Sequence, residues 1–251
     1  GIIDIVKSFF PPADPFNDPM VCEQVLNNFL ELFTKIIAVN NKFAFPLIMM
    51  GLIDALHESF EQFSPCLQVH ALLLFRGAVS LNLSSHKGDL LTKAFEVAKF
   101  GIEESDDACA ELEAARLLES LLPISQFPQE RRSDIVDVFK KLLTPSFSHC
   151  LPSAQRASLL LLQEDVCLVS SLEKFALKHL FDHTREIICC SLKILSHIFL
   201  TYPVEAIKSK DALFFRRIVD YIDPSEPDIS IHVIELANVI VLEKPTLIPQ
   251  L

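Results

Sequence analysis

Glycine is scarce in this chain, with 5 residues in 251, while proline reaches 15. Hairpin turns and bulges draw on glycine for backbone conformations other residues resist, so few of them can be present. Proline stops helices, and the balance favours helices punctuated by proline over a β fold. The phosphate-cradling patterns G-x-x-x-x-G-K-[ST] and G-x-G-x-x-G are both absent, which excludes nucleotide binding of those kinds. Long hydrophobic runs are missing too. The most apolar stretch, Phe43 to Ile53, is broken by Pro46 and Gly51. It falls short of the roughly 18 to 20 residues that a membrane-spanning helix needs, so no membrane partner is expected.

Positive charge is in the minority: 22 Lys and Arg stand against 33 Asp and Glu, for a formal net charge of -11. An acidic chain is poorly suited to neutralising phosphates, so nucleic acid is not expected as the main ligand. The seven cysteines, at 22, 66, 109, 150, 167, 189 and 190, show no C-x-x-C spacing and lie mostly in apolar stretches. They read as reduced core thiols of an intracellular protein, cytoplasmic or nuclear. The first residue is Gly and not Met, so the chain reads as a piece of something longer.

What the chain does contain is apolar periodicity. Apolar residues make up 50% of it and the mean hydropathy is +0.35, which demands a large interior. Nearly every stretch of a dozen or more residues spaces these residues as a helix does, and none alternates as a strand would. From Asp106 to Leu122 the set Ala108, Leu112, Ala115, Leu118 and Leu122 predicts a buried stripe. Glu111, Glu113, Arg116 and Glu119 fill the opposite side, and Ser105 is placed to cap the start. Between Thr184 and Thr201 two apolar faces appear, through Ile188, Leu192, Leu195 and Phe199 and through Ile187, Ile194 and Ile198. Such a helix is sandwiched between neighbours. Asp228 to Leu242 repeats the pattern with Ile229, Val233, Leu236 and Ile240.

More polar helices lie between these, at about 88–100, 129–143, 166–180 and 210–222, with Ile135, Phe139 and Leu142 as the buried stripe of the second. The more apolar helices start near Pro65, Asp106, Phe147, His183 and Asp228, in steps of about 41, 41, 36 and 45 residues. A further pair, Pro19 to Val39 and Lys42 to Phe63, fits upstream. Residues 1–18 read as a short helix, Ile2 to Phe10, followed by a linker rich in proline, PPADPFNDP.

The paired helices and their spacing resemble HEAT or armadillo repeats, whose period is about 40 to 47 residues. The resemblance is architectural and covers 19–251. It implies an all-α fold, a right-handed α-solenoid of about five antiparallel helix pairs, and a role in binding other proteins.

The search for chemistry returns little. His179 and His183 share helical spacing but lack the Glu of a zinc-protease motif, and His149 beside Cys150 has no orienting acid. His57, His70, His86, His197 and His232 stand apart from one another. No catalytic residue, cofactor, metal or small-molecule substrate is expected. The informative remainder is a recurrence of basic residues on the second helices, at Lys140 and Lys141, Lys174 and Lys178, and Arg216 and Arg217. Second helices commonly line the concave face of HEAT and armadillo arrays. The resemblance therefore implies a basic stripe there, suited to a linear or helical partner segment that is acidic or phosphorylated. The expected function is that of a non-enzymatic interaction scaffold or adaptor in a larger assembly. A fragment of a nuclear transport receptor of karyopherin type, and a scaffold in chromosome maintenance or recombination, are the alternatives.

Overall fold

In the computed structural model the residues described are 19–40, 51–81, 87–122, 127–162, 166–180, 184–202 and 218–243. Among them every regular element is helical. In order they are α1 (Pro19–Val39), α2 (Leu52–Ser59) with a 3-10 turn (Phe60–Gln62), α3 (Pro65–Ser80), α4 (Lys87–Glu103), α5 (Ala108–Ser120) and α6 (Gln129–Leu142). A second 3-10 turn (Pro145–Cys150) leads to α7 (Leu151–Leu162), α8 (Val166–His179), α9 (Arg185–Thr201) and α10 (Pro227–Glu243). The expected helix and linker of residues 1–18 and most of the expected 210–222 helix lie outside the described residues.

The chain forms two compact units, Gly1–Val138 and Phe139–Leu251, with the border inside α6. In the first unit, α1 packs on α3 and α3 on α5, while α2 packs on α4. The first members of successive pairs thus form one layer and the second members another. Chain neighbours α3 and α4, and α4 and α5, close the two layers on each other. In the second unit α9 packs against α7, α8 and α10.

Local sequence explains where these helices begin and how close they come. Pro65 opens α3, where its missing N–H would have had no partner in any case. Asp107, and not Ser105, caps α5: its Oδ1 accepts from the N–H groups of Cys109 at 3.0 Å and Ala110 at 2.9 Å. The Ser105 hydroxyl accepts from the Asp107 N–H at 3.3 Å, one step earlier in the turn. His149 and Cys150 belong to the 3-10 turn that runs into α7.

The buried face of α5 departs from expectation. Ala110, Ala114, Leu117 and Leu118 are buried with Ala115, whereas Ala108 is exposed and Leu112 half-buried. Both α3 and α4 press on this helix, so no single stripe describes it. Close approach is the reason for the small residues. A Cβ built on Gly101 of α4 would stand 2.9 Å from the Ala114 Cβ, and one on Gly77 of α3 would stand 2.6 Å from Ile37 Cγ2 of α1. Both distances lie below normal carbon contact, so the two helix crossings require glycine.

The two sandwiched helices of the second unit match their sequence. Ile187, Ile188, Leu192, Ile194, Leu195, Ile198 and Phe199 of α9 are all buried, as are Ile229, Val233, Leu236 and Ile240 of α10. Ile135, Phe139 and Leu142 of α6 are buried as well. The cysteines divide. Cys150 and Cys190 are buried and Cys189 half-buried, but Cys66 and Cys109, in the first turns of α3 and α5, are exposed and depart from the core-thiol reading. Burial pushes the Cys190 thiol up to about 12.

Gly101→Val should therefore cost about 1–3 kcal/mol by overpacking the α4–α5 crossing. Gly88→Ala, at an exposed position with nothing within 4 Å of the new carbon, should be neutral or mildly stabilising. Urea unfolding midpoints of the two variants check the contrast, and equal midpoints would refute the packing account.

Candidate partner-binding surface

The basic residues singled out in the sequence are placed by helix geometry. In α8 the positions Leu172 and Ala176 are buried, one turn apart, and Leu180 follows them. Lys174 and Lys178 lie on the other side, also one turn apart and both exposed, so the fold brings them together on one solvated face. Lys178 and His179 fill the last turn, where a positive charge is favoured by the helix dipole. Lys140 and Lys141 occupy the last turn of α6 and are half-buried. Successive residues on a helix point about 100° apart, so these two cannot share one face as Lys174 and Lys178 do. Arg216 and Arg217 lie outside the described residues.

The His179 ring packs on Phe175, with centroids 4.3 Å apart, and His183 lies outside the described residues. Among the described residues no group of three or more His, Cys, Asp or Glu side chains could hold a metal ion. None of the described helices is long and apolar enough to cross a membrane.

Several other charges meet across neighbouring helices. Lys93 of α4 donates to Asp54 of α2 at 2.7 Å, and to Asp89 within its own helix at 2.6 Å. Burial alone would depress its ammonium, but the two carboxylates outweigh burial and raise it. Glu96, one turn on, meets His57 of α2 at 2.9 Å and Arg131 of α6 at 3.1 Å. In the second unit Arg185, opening α9, donates to Asp228 at the start of α10 at 2.6 Å.

Glu113, expected on the exposed side of α5, is buried instead. Arg116 of the same helix donates to its Oε1, and Arg76 Nη1 of α3 stands 2.8 Å from its Oε2. Two guanidinium groups so placed make burial of the carboxylate tolerable. No periodicity in the sequence reveals this, because one of the two compensating charges, Arg76, comes from another helix.

Also unforeseen is an open groove of about 450 Å³ between the C-terminal halves of α1 and α3. Its walls include Lys35, Ile37 and Ala38 from α1, and Leu73, Arg76 and Gly77 from α3.

No family model matches the chain, and no curated protein matches it. Among solved structures it is similar to the crystal structure of an engineered protein, a target of the Northeast Structural Genomics Consortium. The two are 15% identical, with a TM-score of 0.53 over 94% of this chain and 98% of the other. At that identity the likeness concerns the fold alone, and it is an all-helical one.

Two predictions follow from the buried charges. Arg76→Met with Arg116→Met leaves the Glu113 carboxylate without counter-charge and should cost about 1–3 kcal/mol in urea unfolding. Adding Glu113→Leu should restore most of that loss. A double variant as stable as the parent would show that the arginines do not hold the carboxylate.

The second concerns pH. Burial holds His197 below its ordinary value of 6.5, and its Nε2 has no hydrogen-bond partner. Burial lowers His70 as well, with Glu31 opposing and Lys35 assisting. The unfolded chain therefore binds more protons once pH drops below about 6.5, and stability falls until the folded-state values are passed. Between about pH 7.5 and 5.5 the urea midpoint should decline, and His197→Gln should flatten the decline. Superimposable profiles for parent and variant would exclude His197 as a source.

Proposed function

We propose that each unit of this chain is a stretch of right-handed α-solenoid of the HEAT or armadillo type. On this reading the chain is a non-enzymatic scaffold that holds a segment of a partner protein within a larger assembly. One observation carries the reading: first helices pack on first helices and second on second, through side chains about one repeat apart. Asp54 and Lys93, His57 and Glu96, and Asn27 and Cys66 are each separated by 39 residues, and Arg185 and Asp228 by 43. A compact bundle gathered about one centre has no reason to repeat such an interval. Stacked repeats do, because each helix meets its counterpart in the next pair.

A stacked array presents rows of equivalent side chains, and such rows suit extended ligands. The surface proposed for the partner is the exposed face of Lys174 and Lys178 on α8. Surface cations of this kind contribute modestly one at a time, and an acidic or phosphorylated segment would engage several.

Quantitative affinity capture from cells, with the parent chain and with Lys174→Glu plus Lys178→Glu as baits, tests both levels. The expected result is a set of partners held by the parent, with recovery reduced about tenfold or more by the charge reversal, and less so at high salt where the parent also weakens. Recovery unaffected by the reversal would discard the basic face. Nothing captured above the bead control would discard the scaffold reading itself.

A further inference from the structure

We infer that the groove between α1 and α3 in the first unit is a second binding site, for a short acidic peptide segment that carries one bulky apolar side chain beside a carboxylate. This goes beyond the Lys174 and Lys178 surface, which belongs to other helices.

The groove has a floor and two walls of different chemistry. Ile37 and Leu73 supply apolar surface, and Gly77 and Ala38 leave room above it, since neither carries a long side chain. The missing side chain at Gly77 is what lets α1 and α3 close at the base of the groove, against Ile37. One cation stands on each wall, Lys35 on α1 and Arg76 on α3. The lining holds no acidic residue, in a chain whose formal net charge is -11.

The carboxylates that pair with these cations stand outside the lining. Glu31, one turn earlier in α1, holds Lys35 at 2.5 Å, and Glu113 holds Arg76 at 2.8 Å from α5. Arg116 shares Glu113, so the carboxylate that pairs with Arg76 is divided between two guanidinium groups. The Lys35 side chain is 70% exposed and its bond to Glu31 is a pair within one helix. Such pairs contribute little, so an incoming carboxylate can compete for the ammonium at small cost.

Size and charge select the occupant. A volume of about 450 Å³ lies toward the small end of ligand clefts, enough for a large side chain and its polar neighbour. Lys35, Ala38 and Ser80 are exposed, so the groove opens to solvent and a chain can enter and leave it as a cofactor pocket would not allow. Two cations are too few for a nucleic-acid backbone, whose affinity grows with each phosphate neutralised. A second copy of this acidic chain would bring net repulsion.

The test selects peptides from a phage-displayed random library on the immobilised whole chain and measures the enriched sequences by fluorescence polarisation. Binding is compared between the parent, Lys35→Glu, Ala38→Trp, and Lys174→Glu plus Lys178→Glu. The enriched peptides should combine Asp or Glu with a large apolar residue. Their affinity should fall about tenfold or more in Lys35→Glu and in Ala38→Trp, and stay unchanged in the Lys174 and Lys178 variant. Enrichment of sequences without acidic residues, equal binding to the Lys35 and Ala38 variants, or no enrichment at all would overturn the proposal. Loss of binding in the Lys174 and Lys178 variant alone would assign the peptides to the other surface and overturn it as well. Both groove substitutions are at exposed positions, and circular dichroism checks that helicity is retained; if one variant loses it, the other decides.

Discussion

Everything in this molecule depends on how closely one helix can lie along the next in its own layer. Apolar stripes bring α1, α3 and α5 together, but the distance they reach is set by what is missing from them. Gly77 meets Ile37 where no Cβ would fit, and Gly101 meets Ala114 in the same way between layers. Dispersion falls off steeply with separation, so a fraction of an ångström at these crossings decides how well Leu72, Phe75 and Leu117 pack. Phe60, just after α2, and Phe100 of α4 then meet edge-on, at 5.7 Å and 87°.

Electrostatics follows from that packing and does not compete with it. Charges on second helices stand opposite one another across a narrow gap, and the sequence places opposite signs there: Asp54 against Lys93, and His57 and Arg131 about Glu96. Partly exposed pairs of this kind add little stability each, yet they oppose any slip of one helix along its neighbour, because a shift of one turn would bring unlike partners apart. Where a charge is drawn deeper, as at Glu113, two arginines accompany it. The exposed Lys174 and Lys178 of α8 show what the same type of helix surface offers when its charges are left to solvent.

How much of this was legible beforehand depended on how many neighbours a helix has. The stripes of α9 and α10 were readable because a sandwiched helix is apolar on every packed side, so Ile188, Leu192, Val233 and Leu236 announce themselves. On α5 the same reasoning chose Ala108 and Leu112 and missed Ala110 and Ala114, since alanine serves a core face and a solvated face equally well. The burial of Glu113 was invisible for a different reason: its compensation comes from Arg76, and sequence spacing does not encode which distant side chain will arrive. The Asp107 cap was missed by two residues in favour of Ser105, a choice between two good capping residues that only the backbone direction resolves. Of the basic positions, the pairing of Lys174 with Lys178 followed from spacing four apart, while the groove beside Lys35 required two helices to be laid side by side.

The interval at which side chains meet has a consequence for how the chain comes to be folded. Bridges that join residues 35 to 43 apart close loops of nearly constant and moderate length. The entropic cost of each closure is then similar, and none demands that distant parts of the chain find one another first. Within each unit, neighbouring helices can therefore find one another by a short search along the chain.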